Sequence, residues 1–169
     1  MRRDIINIKF KSDPGYAAKQ HTFTKNNLVF RAYDAREFLK AAELVLNRSS
    51  GVSLPAYFLL GRSIELSLKG FLLSVGVTAH SLSKREYGHN LVNLLAKATR
   101  NGLQNQVPIE PIEASVVDLL SQEYCGTRLG YRITGATYYL PRIDITEEVA
   151  RKLVAGLEYL LVPPANRDT

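Results

Sequence analysis

The chain has 169 residues, a length that fits one domain with a hydrophobic core of its own. Its composition is ordinary for a soluble globular protein, and a single cysteine, Cys125, excludes an intramolecular disulfide framework. The formal net charge is +6, and the first 36 residues hold eight Lys or Arg against three Asp. This excess is compatible with an anionic partner, although dense Lys/Arg runs typical of nucleic-acid-binding segments are absent.

Neither a secretion signal nor a membrane span is expected. Polar residues interrupt the segment after Met1, where a signal peptide would need an apolar core. Residues 52–77 are long enough to cross a bilayer, but Arg62, Glu65 and Lys69 would lie near the middle of that span. The sequence therefore predicts a cytoplasmic protein with no membrane partner.

The sequence predicts an all-α fold, an antiparallel up-down bundle of about five helices. Residues 1–32 are expected to form an irregular N-terminal segment and residues 33–162 the helical bundle. The first helix is predicted at 33–47, where Asp34 and Glu37 have the spacing of a capping box. Helical periodicity then returns at residues 54–75, 89–101, 112–124 and 147–161.

Several helix ends carry recognisable residues. Ser53 can cap the second helix, and Gly102 can supply the left-handed conformation that ends the third. The last helix is expected to be capped by Asp144 or Thr146. Residues 125–143 lack a helical pattern, so they form an irregular insert before the last helix that could contain a small β-hairpin.

The second predicted helix is apolar almost all the way round, yet it carries a charged stripe. Arg62, Glu65 and Lys69 are spaced i, i+3 and i+7, which places them on one face. Because an unpaired buried charge is costly, this stripe is most economically a structural ion network that orients neighbouring helices, with a site lining as the alternative. The same helix carries small residues suited to close helix contacts, namely Ser63, Ser67, Gly70 and Ser74.

A basic loop at residues 80–89 leads into the third predicted helix. Its cations, Lys84 and Arg85, stand beside a helix N-terminus, an arrangement typical of phosphate sites. His89 could act as a general acid or base, because the reference pKa of histidine is near neutrality. The alternative is a polar loop in which His89 caps or packs the helix.

A second polar cluster lies in the insert and consists of Arg128, Tyr131 and Arg132. Arginine matches phosphate oxygens and tyrosine can stack on a base, so these residues could bind a ligand. They could equally pair with carboxylates such as Glu65 or Glu123. No metal site or cofactor is expected, because the histidines lack the spacing of paired ligands and no glycine-rich nucleotide fingerprint is present.

Three short segments carry a family resemblance: SIELSLKG at residues 63–70, GHNLVNLL at 88–95 and RLGYR at 128–132. Their order resembles the HEPN superfamily, the higher eukaryote and prokaryote nucleotide-binding helical bundles, over about residues 36–161. The resemblance implies an up-down helical bundle that forms a homodimer. It also implies RNA, a nucleotide or a protein as partner, including the nucleotidyltransferase antitoxin of a toxin–antitoxin pair.

Catalytic members of this superfamily are metal-independent ribonucleases that use an Arg, four to six residues and then a His. Here Arg85 precedes His89 with three residues between them, and Lys84 stands at the family's distance. The primary hypothesis is therefore binding of RNA or a nucleotide, with Lys84, Arg85, Arg128 and Arg132 on phosphates and Tyr131 beside them.

Two alternatives accompany that hypothesis. The first is a metal-independent endoribonuclease of the toxin or defence type, with His89 as acid/base and Arg85 beside it. The second is a non-catalytic protein-interaction or dimerisation module. A solvent-facing His89 near a basic cleft favours the two RNA hypotheses, whereas a His89 buried against helix carbonyls favours the interaction module.

Overall fold

The computed structural model describes residues 20–126, 128–130 and 134–161, with side chains from residue 28 onward. Within these ranges the chain is helical and contains no strand, which confirms the all-α fold class. A 3-10 helix at Leu103–Asn105 separates two of the α-helices. The α-helices are α1 (Gln20–Leu46), α2 (Leu54–Ser74), α3 (Ala79–Ser83), α4 (Leu91–Arg100), α5 (Pro111–Cys125) and α6 (Ile143–Leu161).

Helix α2 forms the centre of the bundle and contacts α1, α4, α5 and α6. Leu60, Ile64, Leu68 and Leu72 recur at four-residue spacing and are fully buried, so they form one continuous apolar row. Each such side chain contributes roughly 1.5–3 kcal/mol through removal of apolar surface from water. None of the described helices combines the length and hydropathy that crossing a bilayer requires.

Small residues on α2 let neighbouring helices approach closely. Ser63 Oγ donates a hydrogen bond to the backbone oxygen of Ala35 on α1 at 2.8 Å. A Cβ atom on Gly70 would lie 2.7 Å from Cδ2 of Leu157 on α6, closer than non-bonded carbons come. Two of the predicted close contacts therefore exist, whereas Ser74 at the end of the helix is exposed.

Helix α1 begins at Gln20 rather than at residue 33. Residues 20–32 contain neither Gly nor Pro, so no breaker ends the helix before the predicted start. Asp34 consequently lies inside α1 instead of capping it, and Ala35 beside it is fully buried. Residues 1–19 lie outside the described range.

The predicted caps are only partly observed. Ser53 Oγ accepts from the backbone N–H of Ala56 at 3.3 Å, and Gly102 has a φ of 91°, as its role at the end of α4 requires. The cap of α4 is Asn90 rather than His89. Helix α6 begins before the predicted caps, and Thr146 Oγ1 instead donates to the carbonyl oxygen of Arg142, the residue that precedes the helix, at 2.7 Å.

The insert before α6 is irregular where the structure describes it. Residues 134–142 contain a turn with Gly135 at a φ of 79°, but no strand. The remainder of the predicted hairpin, residues 131–133, lies outside the described range. The short helix α3 was not predicted, because five residues show no periodicity; Thr78 Oγ1 caps it by accepting from the N–H of Ser81.

Candidate functional site

The carboxylate of Glu65 has no exposed surface and is contacted by four polar side chains. Lys69 Nζ and Arg62 Nη1 lie 2.6 and 3.0 Å from Oε1. Tyr124 Oη donates to Oε2 at 2.6 Å, and His89 Nδ1 lies 3.1 Å from the same oxygen. These five residues are called the Glu65 network, and the ion pair expected between Glu65 and Lys69 is present in it.

The network draws on three separate elements. Arg62 and Lys69 lie one turn before and one turn after Glu65 on α2, so helix geometry alone brings them together. Tyr124 comes from the last turn of α5 and His89 from the basic loop. The buried carboxylate therefore ties α5 and the basic loop to the centre of the bundle.

The protonation states follow from these contacts. Burial by itself would raise the pKa of Glu65, but hydrogen bonds from Lys69 and Tyr124, together with the charges of Lys69 and Arg62, outweigh burial and lower it. Burial, followed by the Glu65 charge and hydrogen bond, raises the pKa of Tyr124. Glu65 is thus an anion at neutral pH, and Tyr124 is a neutral donor to it.

His89 is both anchored and accessible. Its side chain is 62% exposed although Nδ1 contacts the fully buried carboxylate of Glu65. Of the two neutral tautomers of histidine, an anionic acceptor at Nδ1 favours the one that carries its proton on that atom. No described residue hydrogen-bonds Nε2, so this nitrogen is free to contact a ligand.

The backbone beside His89 is also held in place. Lys69 Nζ donates to the carbonyl oxygen of Gly88 at 2.5 Å, in addition to its bond with Glu65. The thiol of Cys125 donates to the carbonyl oxygen of His89 at 3.0 Å. The histidine is therefore fixed through its ring and its main chain, which is the preorganisation that binding or proton transfer requires.

The N-terminus of α4 offers less to a phosphate than the sequence suggested. The N–H of Leu91 donates to Ser121 Oγ at 3.1 Å, and the N–H of Asn93 donates to Asn90 Oδ1 at 2.9 Å. Two of the groups that a bound anion would use are already occupied. A phosphate at this end of the helix would depend mainly on side chains.

Lys84 and Arg85 are exposed, and neither forms an ion pair with a residue in the part of the chain that the structure describes. Their neighbour Glu86 is also exposed, so it offsets one of the two charges. Lys97 on α4 adds a further cation, because its Nζ lies 4.5 Å from the ring centre of Tyr87 in the basic loop. The described surface of the loop remains cationic.

Arg128 is engaged elsewhere. Its Nη1 lies 3.3 Å from Oε2 of Glu123, which is 2% exposed, and its Nη2 donates to the carbonyl oxygen of Thr137 at 2.7 Å. Of the two roles considered for Arg128, pairing with Glu123 is the one observed, and it joins the insert to α5. Tyr131 and Arg132 lie outside the described residues.

Two residues near the site were not indicated by the sequence. Tyr124 is separated from Glu65 by 59 positions, and no spacing rule relates them. Lys97 reaches the basic loop through a ring contact that leaves no sequence signature.

Among the described residues, no three His, Cys, Asp or Glu side chains are placed to share a metal ion.

Comparison with known proteins assigns neither a family nor a function to the chain. No protein-family model, no curated protein and no solved structure matches the chain. The HEPN resemblance therefore stays a prediction from short motifs, and a function has to be argued from the chemistry of the Glu65 network and the basic loop.

Proposed function

We propose that the protein binds RNA or a nucleotide through phosphate contacts at the basic loop. The supporting observation is the combination of an exposed, anchored His89 with two exposed cations, Lys84 and Arg85, on the same loop. Neither cation is committed to a carboxylate within the described residues, so both are available to an anion. Arg85 offers a planar fork for two phosphate oxygens, and Lys84 offers a compact point charge.

The resemblance to nucleotide-binding helical bundles supports the same ligand class. The primary ligand contacts are assigned to Lys84 and Arg85, with His89 able to donate or accept a hydrogen bond through Nε2. Arg128 is less suited to this role than the sequence suggested, because Glu123 and Thr137 already occupy its guanidinium. An exposed His89 also disfavours the alternative of a pure interaction module.

The proposal is tested by the fluorescence anisotropy of a labelled single-stranded RNA. The variant Lys84→Ala/Arg85→Ala should bind about tenfold more weakly or worse, because a hydrogen bond to a charged group is worth roughly 1.5–3 kcal/mol. The matched control is Lys40→Ala/Arg48→Ala, which removes one exposed lysine and one exposed arginine elsewhere. Equal loss in both double variants would show that only overall charge matters and would reject the loop as the site.

A mononucleotide ligand is distinguished by competition. If the site takes a single nucleotide, millimolar adenosine monophosphate should displace the labelled RNA from the wild type. If the site takes a polynucleotide, only unlabelled RNA should compete efficiently, since several phosphates share the interaction. In both cases the basic-loop variant loses binding.

The second candidate function is metal-independent RNA cleavage with His89 as acid/base. The observation that favours it is the orientation of His89 by Glu65, since a base held by a carboxylate is a common arrangement in acid–base catalysis. Labelled RNA incubated with the protein in excess chelator would then be cut. His89→Ala should reduce the rate by about 10²–10⁴-fold with RNA binding retained. If the wild type does not cleave RNA, the cleavage hypothesis is rejected and RNA binding remains as the proposed function.

A further inference from the structure

A partly exposed aromatic ring lies beside the Glu65 network. Phe58 is 39% exposed, although it belongs to the central helix of the bundle. Its ring centre lies 6.0 Å from that of Tyr124, and the two ring planes are inclined at 40°. His89 contacts the same tyrosine edge-on, with 6.1 Å between the ring centres. The buried Tyr124 ring therefore supports two accessible rings, one from α2 and one from the basic loop.

Phe58 continues the charged stripe of α2 by one turn. The spacing i, i+4, i+7 and i+11 places four residues on one side of this helix, namely Phe58, Arg62, Glu65 and Lys69. The side chain of Arg62 is 30% exposed, so a positive charge reaches the surface one turn after Phe58. A single exposed apolar residue is ordinary on a protein surface, but this one is aligned with the cations of the Glu65 network.

The basic loop extends the same surface in the opposite direction. His89 contacts Glu65, and the preceding Gly88 accepts from Lys69, so the chain runs back from His89 along α2 and away from Phe58. From position 58 to position 69 the helix rises about 16 Å at 1.5 Å per residue. Lys84 and Arg85 precede Gly88 and therefore lie on the far side of His89 from Phe58. The surface thus has an aromatic ring at one end and free cations at the other.

We propose that Phe58 is a base-binding residue, on whose exposed ring an unpaired nucleobase stacks while phosphates of the same strand contact the basic loop across His89. This inference rests on the proposed function and adds to it a site for the base. A phenyl ring has no hydrogen-bonding group, so it accepts any base by its face and adds affinity without reading the sequence. A nucleoside monophosphate joins its base to its phosphate through one sugar and is too short for both ends of this surface. The ligand is therefore a strand of several nucleotides with its bases unpaired.

Fluorescence anisotropy with two labelled strands tests this proposal: a single-stranded RNA, and an abasic strand of the same length that keeps the sugars and phosphates. Phe58→Leu should weaken RNA binding by about fivefold or more, because base–aromatic stacking is lost, and should leave binding of the abasic strand unchanged. Phe58→Tyr keeps the ring and should bind RNA as the wild type does. The matched control is Tyr159→Leu, which removes a ring of similar exposure from α6 and should have no effect. Equal loss for both strands would show that Phe58 only supports Tyr124 and would overturn the proposal.

Salt dependence separates failure of this base site from failure of the proposed function. Phe58→Leu should leave the slope of log K against log salt unchanged, since an aromatic ring releases no counterions, whereas Lys84→Ala/Arg85→Ala should reduce it. If the basic-loop variant loses RNA binding and Phe58→Leu does not, the base site is rejected and the proposed function stands. If the wild type binds no RNA even at low salt, both are rejected.

Discussion

The ring of Tyr124 occupies the space that the absent side chain of Gly61 leaves on α2. A Cβ atom at position 61 would lie 2.6 Å from Cδ2 of this ring, closer than non-bonded carbons come. From this position the Tyr124 hydroxyl donates a hydrogen bond to Oε2 of Glu65 at 2.6 Å. The glycine therefore lets α5 approach α2 closely enough to hold a buried carboxylate.

Gly61→Ala should destabilise the protein, measured as a lower free energy of unfolding in urea. Overpacking typically costs about 1–3 kcal/mol, and better helix propensity returns about 1 kcal/mol. In a Tyr124→Ala background the clash is gone, so the same Gly61→Ala change should be neutral or stabilising. If Gly61→Ala stabilised the otherwise wild-type chain, Tyr124 would be shown to move aside without cost.

Glu65→Leu should destabilise the protein by about 3–5 kcal/mol, because removal of the carboxylate leaves the buried Lys69 without its anion. The double variant Glu65→Leu/Lys69→Met should recover a large part of that loss, since the stranded cation is gone. Both are measured by urea unfolding at neutral pH. A loss below about 1 kcal/mol in the single variant would indicate that the Lys69 ammonium escapes to water.

The Glu65 network also predicts a pH dependence of stability. The native pKa of Glu65 lies below its ordinary value of 4.5, because hydrogen bonds from Lys69 and Tyr124 overcome the effect of burial. The unfolded chain therefore binds the proton first as pH falls. This contribution is complete above about pH 5.5 and is lost as pH falls through 4.5 towards the native pKa. The free energy of unfolding should fall more steeply with acid in the wild type than in Glu65→Gln.

Local sequence rules predicted the parts of this structure that depend on near neighbours. The i, i+4 spacing of Glu65 and Lys69 indicated their ion pair, and Ser53 was recognised as a cap from its position alone. The convergence of Tyr124 and His89 on Glu65 depends on how α5 and the basic loop pack on α2. No local pattern in a single sequence encodes that packing, so these contacts could not be predicted.

The start of α1 shows the opposite limit of sequence rules. Asp34 and Glu37 have the spacing of a capping box, but the helix already extends through them from Gln20. A capping signature marks a start only where the preceding residues cannot continue the helix. Here the preceding residues lack Gly and Pro, so the helix continues.

The tautomer of His89 provides a direct test of its anchoring. In the wild type the neutral ring should carry its proton on Nδ1, because Glu65 accepts from that atom. Glu65→Gln keeps the shape, and the charged Lys69 and Arg62 should orient the amide oxygen towards themselves. The amide NH₂ would then face His89 Nδ1, so the neutral ring should carry its proton on Nε2. Long-range ¹H–¹⁵N correlation spectra distinguish the two forms, and the same tautomer in both proteins would contradict this assignment.

The salt dependence of RNA binding separates phosphate contacts from other effects of mutation. Each cation that neutralises a phosphate releases counterions, so the plot of log K against log salt has a slope set by the number of such contacts. Lys84→Ala and Arg85→Ala should each reduce that slope by roughly 0.7 for a single-stranded RNA. The loss of affinity should be similar for different RNA sequences, because phosphate contacts position a ligand without reading its bases. Weak, salt-insensitive binding that is identical in the wild type and in Lys84→Ala/Arg85→Ala would remove the basic loop as a nucleic-acid site, and the interaction-module hypothesis would then be the better one.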